Sequence, residues 1–442
     1  MANDIAPSMR AENDLDHLIF TCGEIGRVTT LSTIPVLPGD SFQDDMIGSI
    51  RLSQLRRGLV VDSKVDIVSF YIPHRHIYGD DWLQMMEEGV NSTVTLPSVP
   101  VGSQARAKLS FLGITSSGSD SGTSAIPKWL WDGYWNIWNE YFRVPWLDEF
   151  RPTPDYFLGS TSLSGAEYGQ PAAHLKNIWT APLPDQESTH QDFDYDSGDT
   201  GSMDIRDLQK AYGQLQTEQE RELFAQRYRD VMHLFGGSTS YDGDNRPEMI
   251  MKSTFWASGY DVDGTDQSTL GQFSGRVQQS FKHRIPRKYI PEHGVIWTVA
   301  VTRFPPSHME ERHYLVQHPS PTYEEISGDP AIVANEPPMS LKVSDLFDTG
   351  SSASIDLDGR YAFGQWYRYQ PDFVHTKYRE IQGFPFLDGT QQITLNGAFY
   401  VNPLSYDDCF QTTQLGHWNI QARSNAKVFR QIPTTRDSAI TS

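Results

Sequence analysis

Hydrophobic and polar positions along this chain fall into blocks of two kinds. Arg27–Val36 (RVTTLSTIPV) is rich in Val, Thr, Leu and Ile and predicts a strand. Pro38-Gly39-Asp40 stops it, because proline lacks a backbone donor and glycine accepts a positive φ. Val65–Ile72 begins as a two-residue alternation, with Val65 and Ile67 on one face and Asp66 and Val68 on the other, and Pro73 ends it. From Tyr78 the period changes. Asp80–Gly89 predicts a short helix, with acids at its start and glycine at its stop. Residues 97–126 read as turns, and Ser116–Ser124 as an exposed, low-complexity loop tip. A helix is predicted over 127–142, with Pro127 suited to its first position. Leu130, Tyr134, Ile137 and Tyr141 share one face of it, and Trp131, Trp135, Trp138 and Phe142 an adjacent one. A helix apolar on that much of its circumference must be buried on more than one side.

Helical spacing returns at 202–216, through Ile205, Leu208, Tyr212 and Leu215, and again at 218–235. Thr217–Glu220 is a capping-box pattern for the second of these, and Gly236-Gly237 is its stop. Strand signals resume at Met249–Trp256, Arg276–Ile285 and Val295–Phe304 (VIWTVAVTRF, the strongest) and close with Cys409–Ile432. Residues 305–405 read as loops, with one short strand at Gln365–Tyr369. The strands thus cluster at 19–72, 247–304 and 408–432. Length alone suggests two or three domains, but this clustering suggests one β-sandwich or barrel whose long connections carry helices and loops.

Composition agrees. Aromatics make up 12 %, and 34 Gly and 27 Pro suit β-structure with many turns. The formal net charge of −20 argues against free-standing nucleic-acid binding driven by phosphate neutralisation, though not against a local basic face. Cys22 and Cys409 are too few for a disulfide framework, which suggests a reducing compartment. The start has no apolar signal region and no run is long enough to span a bilayer, so synthesis and folding in a cytoplasm are expected.

Candidate chemistry is sparse. The local signatures GxSxG, P-loop, HExxH and CxxC are absent, so an enzyme is not expected. Two carboxylates need no fixed spacing, so a carbohydrate-active or carbohydrate-binding β-sandwich stands as the alternative. His74 and His76, if extended, would share a face roughly 6.5–7 Å apart and could share a metal, against the plainer reading of an interface role. Asp261, Asp263 and Asp266 surround a glycine turn in the manner of calcium loops, although the closing glutamate of an EF-hand is missing. No cofactor is required, and a divalent cation such as calcium is the one candidate. Two stretches are basic and free of acids. One holds Arg276, Lys282, Arg284, Arg287 and Lys288, the other Arg423, Lys427, Arg430 and Arg436. Phe281, Tyr289, Trp418 and Phe429 interleave, a pattern suited to contacting phosphates and stacking unpaired bases.

Several long strings carry a resemblance. GEIGRVTTLSTIPVLPGDSF, LRRGLVVDSKVDIVSFYIPHRHIYG, HLKNIWTAPLP, FWASGYDVDGTDQSTLGQFSGRVQQSFKH, GQWYRY and PTTRDSAITS closely resemble the major capsid proteins of the φX-type microviruses, small icosahedral single-stranded DNA bacteriophages. The resemblance implies a mainly β fold, an eight-stranded antiparallel jelly roll. Its early strands would lie at 19–76, its large insertions at 77–246 and 305–407, its middle strands at 247–304, and its last strand and tail at 408–442. It implies a T=1 shell of sixty copies built from pentamers. Implied partners are internal and external scaffolding proteins, a major spike protein, a small basic DNA-binding protein, single-stranded DNA, and host lipopolysaccharide touched by exposed loops. The virion would be assembled in the bacterial cytoplasm. Under this reading the two basic stretches face the genome. The Trp-rich helix (Trp129, Trp131, Trp135, Trp138) with His74 and His76 supplies interface surface, inside the subunit or between subunits.

Overall fold

The structure, a computed structural model, describes residues 10–55, 62–101, 107–113, 124–143, 169–172, 213, 246–262, 273–304, 307–308, 312–336, 339, 341–346, 361–373, 386–387, 406–411 and 416–430. The helices expected at 202–216 and 218–235 lie outside the described residues.

The chain is mainly β. Its strands are β1 (Ala11–Asp14), β2 (His17–Gly23), β3 (Arg27–Val36), β4 (Ser41–Leu52), β5 (Ser63–Pro73), β6 (Ser98–Val101), β7 (Ser124–Pro127) and β8 (Gln170–Pro171). There follow β9 (Glu248–Ala257), β10 (Gly259–Val262), β11 (Phe273–Tyr289), β12 (Gly294–Arg303), β13 (Ser307–His308), β14 (Phe386–Leu387) and β15 (Trp418–Arg430). The first sheet runs β2-β15-β4-β11-β10, with β1 beside β2 along the same edge of β15. The second runs β8-β3-β12-β5-β9, and every pairing in both sheets is antiparallel. Along the chain, β2, β4, β11 and β15 enter the first sheet, while β3, β5, β9 and β12 enter the second. This alternation between two packed sheets is the jelly-roll connectivity.

The interior between the sheets holds Met46, Ile50, Ile67, Phe281, Ala300 and Ile420, continued by Val36, Phe42, Ile285 and Val428. It also holds one polar knot. His283 of β11 places Nε2 2.8 Å from Ser69 Oγ and Nδ1 2.8 Å from Ser253 Oγ, and Ser69 Oγ lies 2.8 Å from Thr298 Oγ1. The ring ties the first sheet to three strands of the second, and burial pushes its pKa down to about 4.

A second core covers the outer face of the second sheet. Val68, Phe70 and Ile72 of β5 and Val295, Trp297, Val299 and Val301 of β12 pack there against Trp131, Tyr134, Trp135, Ile137 and Trp138. Those aromatics come from one helix of the insertion after β5. The described helices of that insertion include α1 (His74–Tyr78), α2 (Asp80–Glu88) and α3 (Lys128–Tyr141). Strands buried on both faces lose the two-residue alternation, which is why β12 reads as nearly continuous apolar sequence. The β15 strand keeps one face in water and alternates cleanly. Gly133 lets α3 approach, since a Cβ there would sit 2.8 Å from the Trp297 ring. Tyr134 Oη donates to the carbonyl of Val28 at 2.9 Å, and Trp138 Nε1 donates to that of Pro171 at 2.7 Å, so α3 also satisfies its polar tips. At the far end of the same face, buried Asp66 accepts from Arg303 Nη1 at 2.9 Å and from Thr254 Oγ1 at 2.6 Å.

Three local expectations change. Pro127 is the residue before α3 and ends β7, so it caps the helix instead of opening it. Within 97–126, Ser98–Val101 pairs with Ser124–Pro127 as a two-stranded ribbon. Gln365–Arg368 is a 3-10 turn, not a strand. Gly364 enters it at φ 76°, and Trp366 then folds under Tyr314, their rings 4.3 Å apart. Ahead of the expected strand blocks, the polar N-terminal stretch adds one further strand, β1.

Candidate functional site

The outer face of the first sheet is the surface on which the basic stretches can be judged. Cross-strand partners point to the same side. The register sets Leu18, Arg423, Ile47 and Lys282 in one row, and Phe20, Gln421, Ser49 and Ser280 in the next. Asn425, Asp45 and Arg284 form a third. Their inward neighbours Ile19, Met46, Phe281, Ala422 and Ser424 are buried, which holds the alternate residues in solvent. Leu18, Phe20 and Ile47 are 65 %, 71 % and 51 % exposed, so apolar groups and cations are interleaved on an open surface. Cations can hold phosphates there, and Phe20 can stack an unpaired base.

Each of these cations is already engaged. Arg423 Nη2 lies 3.1 Å from Asp16 Oδ2. Lys427 Nζ lies 2.7 Å from Glu12 Oε1 and 3.5 Å from Asp14 Oδ1, and this pairing raises its pKa. Lys282 and Arg284 share Asp45, at 3.7 and 3.5 Å.

The other nominated cations separate from this face. Arg430 turns inward, its Nη2 2.8 Å from Asp40 Oδ2, and that carboxyl also accepts from Leu37 N at 2.8 Å. Gly39 at φ 82° makes the turn that presents Asp40. With Asp40 only 1 % exposed, Arg430 is a structural tether and is not displayed on this open face. Lys288 sits beyond a bulge in β11, 2.6 Å from Glu248 Oε1 and 5.9 Å above the Tyr71 ring, so it also belongs elsewhere. Arg287 is exposed near that bulge, and Arg276 lies in β11. Arg436 lies outside the described residues.

His74 and His76 open α1 and are not extended. Residues two apart on a helix point to nearly opposite sides, so the shared-metal arrangement does not form. The His74 ring lies 4.9 Å from Trp82, 6.0 Å from Tyr78 and 6.3 Å from Trp129. Burial, and then the nearby His293, lower its pKa to about 4. Trp131, Trp135 and Trp138 are each at most 2 % exposed within the single chain, so their surface is used inside the subunit and not between copies. Trp129 is half-buried against the same core. Of the aspartates proposed for calcium, Asp261 lies in β10, while Asp263 and Asp266 lie outside the described residues. Among the described residues no three His, Cys, Asp or Glu groups come together to cage a metal ion.

Sequence reasoning missed Leu18, Phe20 and Ile47, and the acids that hold the cations. The alternation of His17–Gly23 around buried Ile19 was the available signal for the first two.

Known proteins closely match this chain. The profile of the family described as "Capsid protein (F protein)" matches residues 4–192 and 187–440. A protein named Capsid protein F from Escherichia phage G4 is 50 % identical over 445 residues, covering 100 % of both chains. Capsid protein F of Escherichia phage alpha3 and that of Enterobacteria phage phiK are each 48 % identical over 446 residues, again across 100 % of both.

Proposed function

The chain belongs to the F capsid protein family of phages, a virion structural protein that assembles with copies of itself, and we propose that sixty copies form a T=1 shell around a circular single-stranded DNA genome. In this reading the outer face of the first sheet looks inward to the genome. The observation that carries it is the asymmetry between the sheets. The second sheet is covered by the insertion after β5, whereas the first leaves Lys282, Arg284, Arg423 and Lys427 open beside Leu18, Phe20 and Ile47. A subunit of charge −20 cannot neutralise a genome. A small basic DNA-binding protein, with metal ions or polyamines, supplies the remaining counter-charge. Pentamers form first, guided by internal and external scaffolding proteins in the bacterial cytoplasm. The spike protein docks on the finished shell, and exposed insertion loops touch host lipopolysaccharide during attachment.

The test is to replace Arg423 and Lys427 with Gln and measure DNA retained per assembled particle. Shells are expected to form and to release DNA at lower salt, because two phosphate contacts to the single strand are lost. Unchanged retention in well-formed shells would remove this face from the genome contact.

A further inference from the structure

The carboxylates that hold Arg423 and Lys427 come from one short segment. Glu12, Asp14 and Asp16 alternate along β1 and the turn into β2, so they share the open face of the sheet. Among the described residues few contacts attach the segment, and β1 pairs with β15 only from Ala11 opposite Arg430 to Asp14 opposite Lys427. Leu15 N then donates to the carbonyl of Ala426 at 2.8 Å, and the Leu15 side chain leans on the core around Phe42 and Val428. The carboxylates themselves stay in solvent, with Glu12 57 %, Asp14 67 % and Asp16 35 % exposed. Exposed ion pairs of this kind are weak and screened by salt. They can therefore be exchanged for another anion without unfolding anything beneath them.

Carboxylate and phosphate oxygens accept the same donors from Arg and Lys. Resting on the reading of this face as genome-facing, we propose that Glu12–Asp16 is an electrostatic strap occupying the two cations, and that single-stranded DNA binds by exchanging its phosphates for these carboxylates. Each displaced carboxylate takes up a counterion as the phosphate releases one. Net counterion release is then small, and the affinity for dilute DNA stays low. Contact forms where phosphate is concentrated, inside a closed shell, and stray nucleic acid is held poorly before closure.

The experiment measures binding of a fluorescent oligodeoxythymidylate to the full-length protein by anisotropy, across a salt series. Glu12→Gln with Asp14→Asn and Asp16→Asn is expected to bind about tenfold tighter at low salt. Its log–log salt slope should be steeper by about 1.4, for two unmasked cations. Arg423→Gln with Lys427→Gln should weaken binding and leave the slope near the parent's, since these contacts release few net counterions there, and in that background the strap substitutions should leave the slope unchanged and tighten binding far less than in the parent. If the cation variant binds as the parent does, the genome-facing reading falls. If it weakens binding while the strap variant binds no tighter than the parent, the strap alone falls. Should the triple variant fold poorly, Asp16→Asn by itself, outside the β1 ladder, frees Arg423 alone and should tighten binding and steepen the slope by about 0.7.

Discussion

Replacing His283 with glutamine isolates how much acid sensitivity resides in one ring between the sheets. The side chain is fully buried, both nitrogens contact serine hydroxyls, and burial lowers its pKa from the ordinary 6.5 to about 4. The unfolded chain thus accepts a proton near pH 6.5 that the folded chain refuses until about pH 4. The neutral ring's contribution is complete above the unfolded value, falls as pH drops through this window, and levels off below it. At about pH 4.5 the loss relative to neutral pH is about 2.5 kcal/mol. Burial is the cause of the shift, and among the described residues no charged group adds to it. Asp44, the inward carboxylate on neighbouring β4, is engaged by Ser424 Oγ at 2.9 Å. Glutamine keeps a donor and an acceptor but does not titrate. The variant should be less stable by about 1–2 kcal/mol at neutral pH. Between neutral pH and about pH 4.5 it should lose about 2.5 kcal/mol less than the parent. Urea unfolding of the purified full-length chain, followed by fluorescence of the buried tryptophans, reads this difference, from which the common carboxylate contribution cancels. Equal losses in parent and variant would refute the argument that the core holds this ring neutral.

Asp66→Ala leaves Arg303 buried beside a lost partner and should cost about 3–5 kcal/mol in urea unfolding, while Asp66→Leu with Arg303→Met should recover much of it. Arg430→Gln breaks the pair with Asp40 and should lower stability by about 3 kcal/mol, with DNA retention per assembled particle unchanged. Gly133→Val sets a side chain where the Trp297 ring stands, so thermal unfolding should register a loss of about 1–3 kcal/mol or more.

The strand blocks were legible because burial writes itself into local pattern. The near-continuous apolar run of β12 and the alternation of β15 report two covered faces and one. The aromatic faces of α3 announced burial on more than one side, although not that the burial is complete within one chain. Charge was different. Linear order shows cations together but not their partners, and Arg423 meets an acid 407 positions away while Lys427 meets one 415 away. Arg430 looked equivalent to its neighbours until Asp40, 390 positions away, drew it inside. The helix Tyr323–Ser327 carried a readable capping box, Thr322 with Glu325, inside a stretch otherwise dominated by turn residues. Gln365–Arg368 misled because aromatic spacing resembles a strand, and only contact with Tyr314 decides otherwise.

The inward orientation of the first sheet is the claim on which the account rests. A reconstruction of the assembled particle by electron cryomicroscopy, at a resolution that shows side chains, tests it most directly. The predicted result is a sixty-copy T=1 shell with Arg423, Lys427 and Phe20 lining its inner surface and touching nucleic-acid density. A shell with that face outside, or buried between subunits away from nucleic acid, would contradict it.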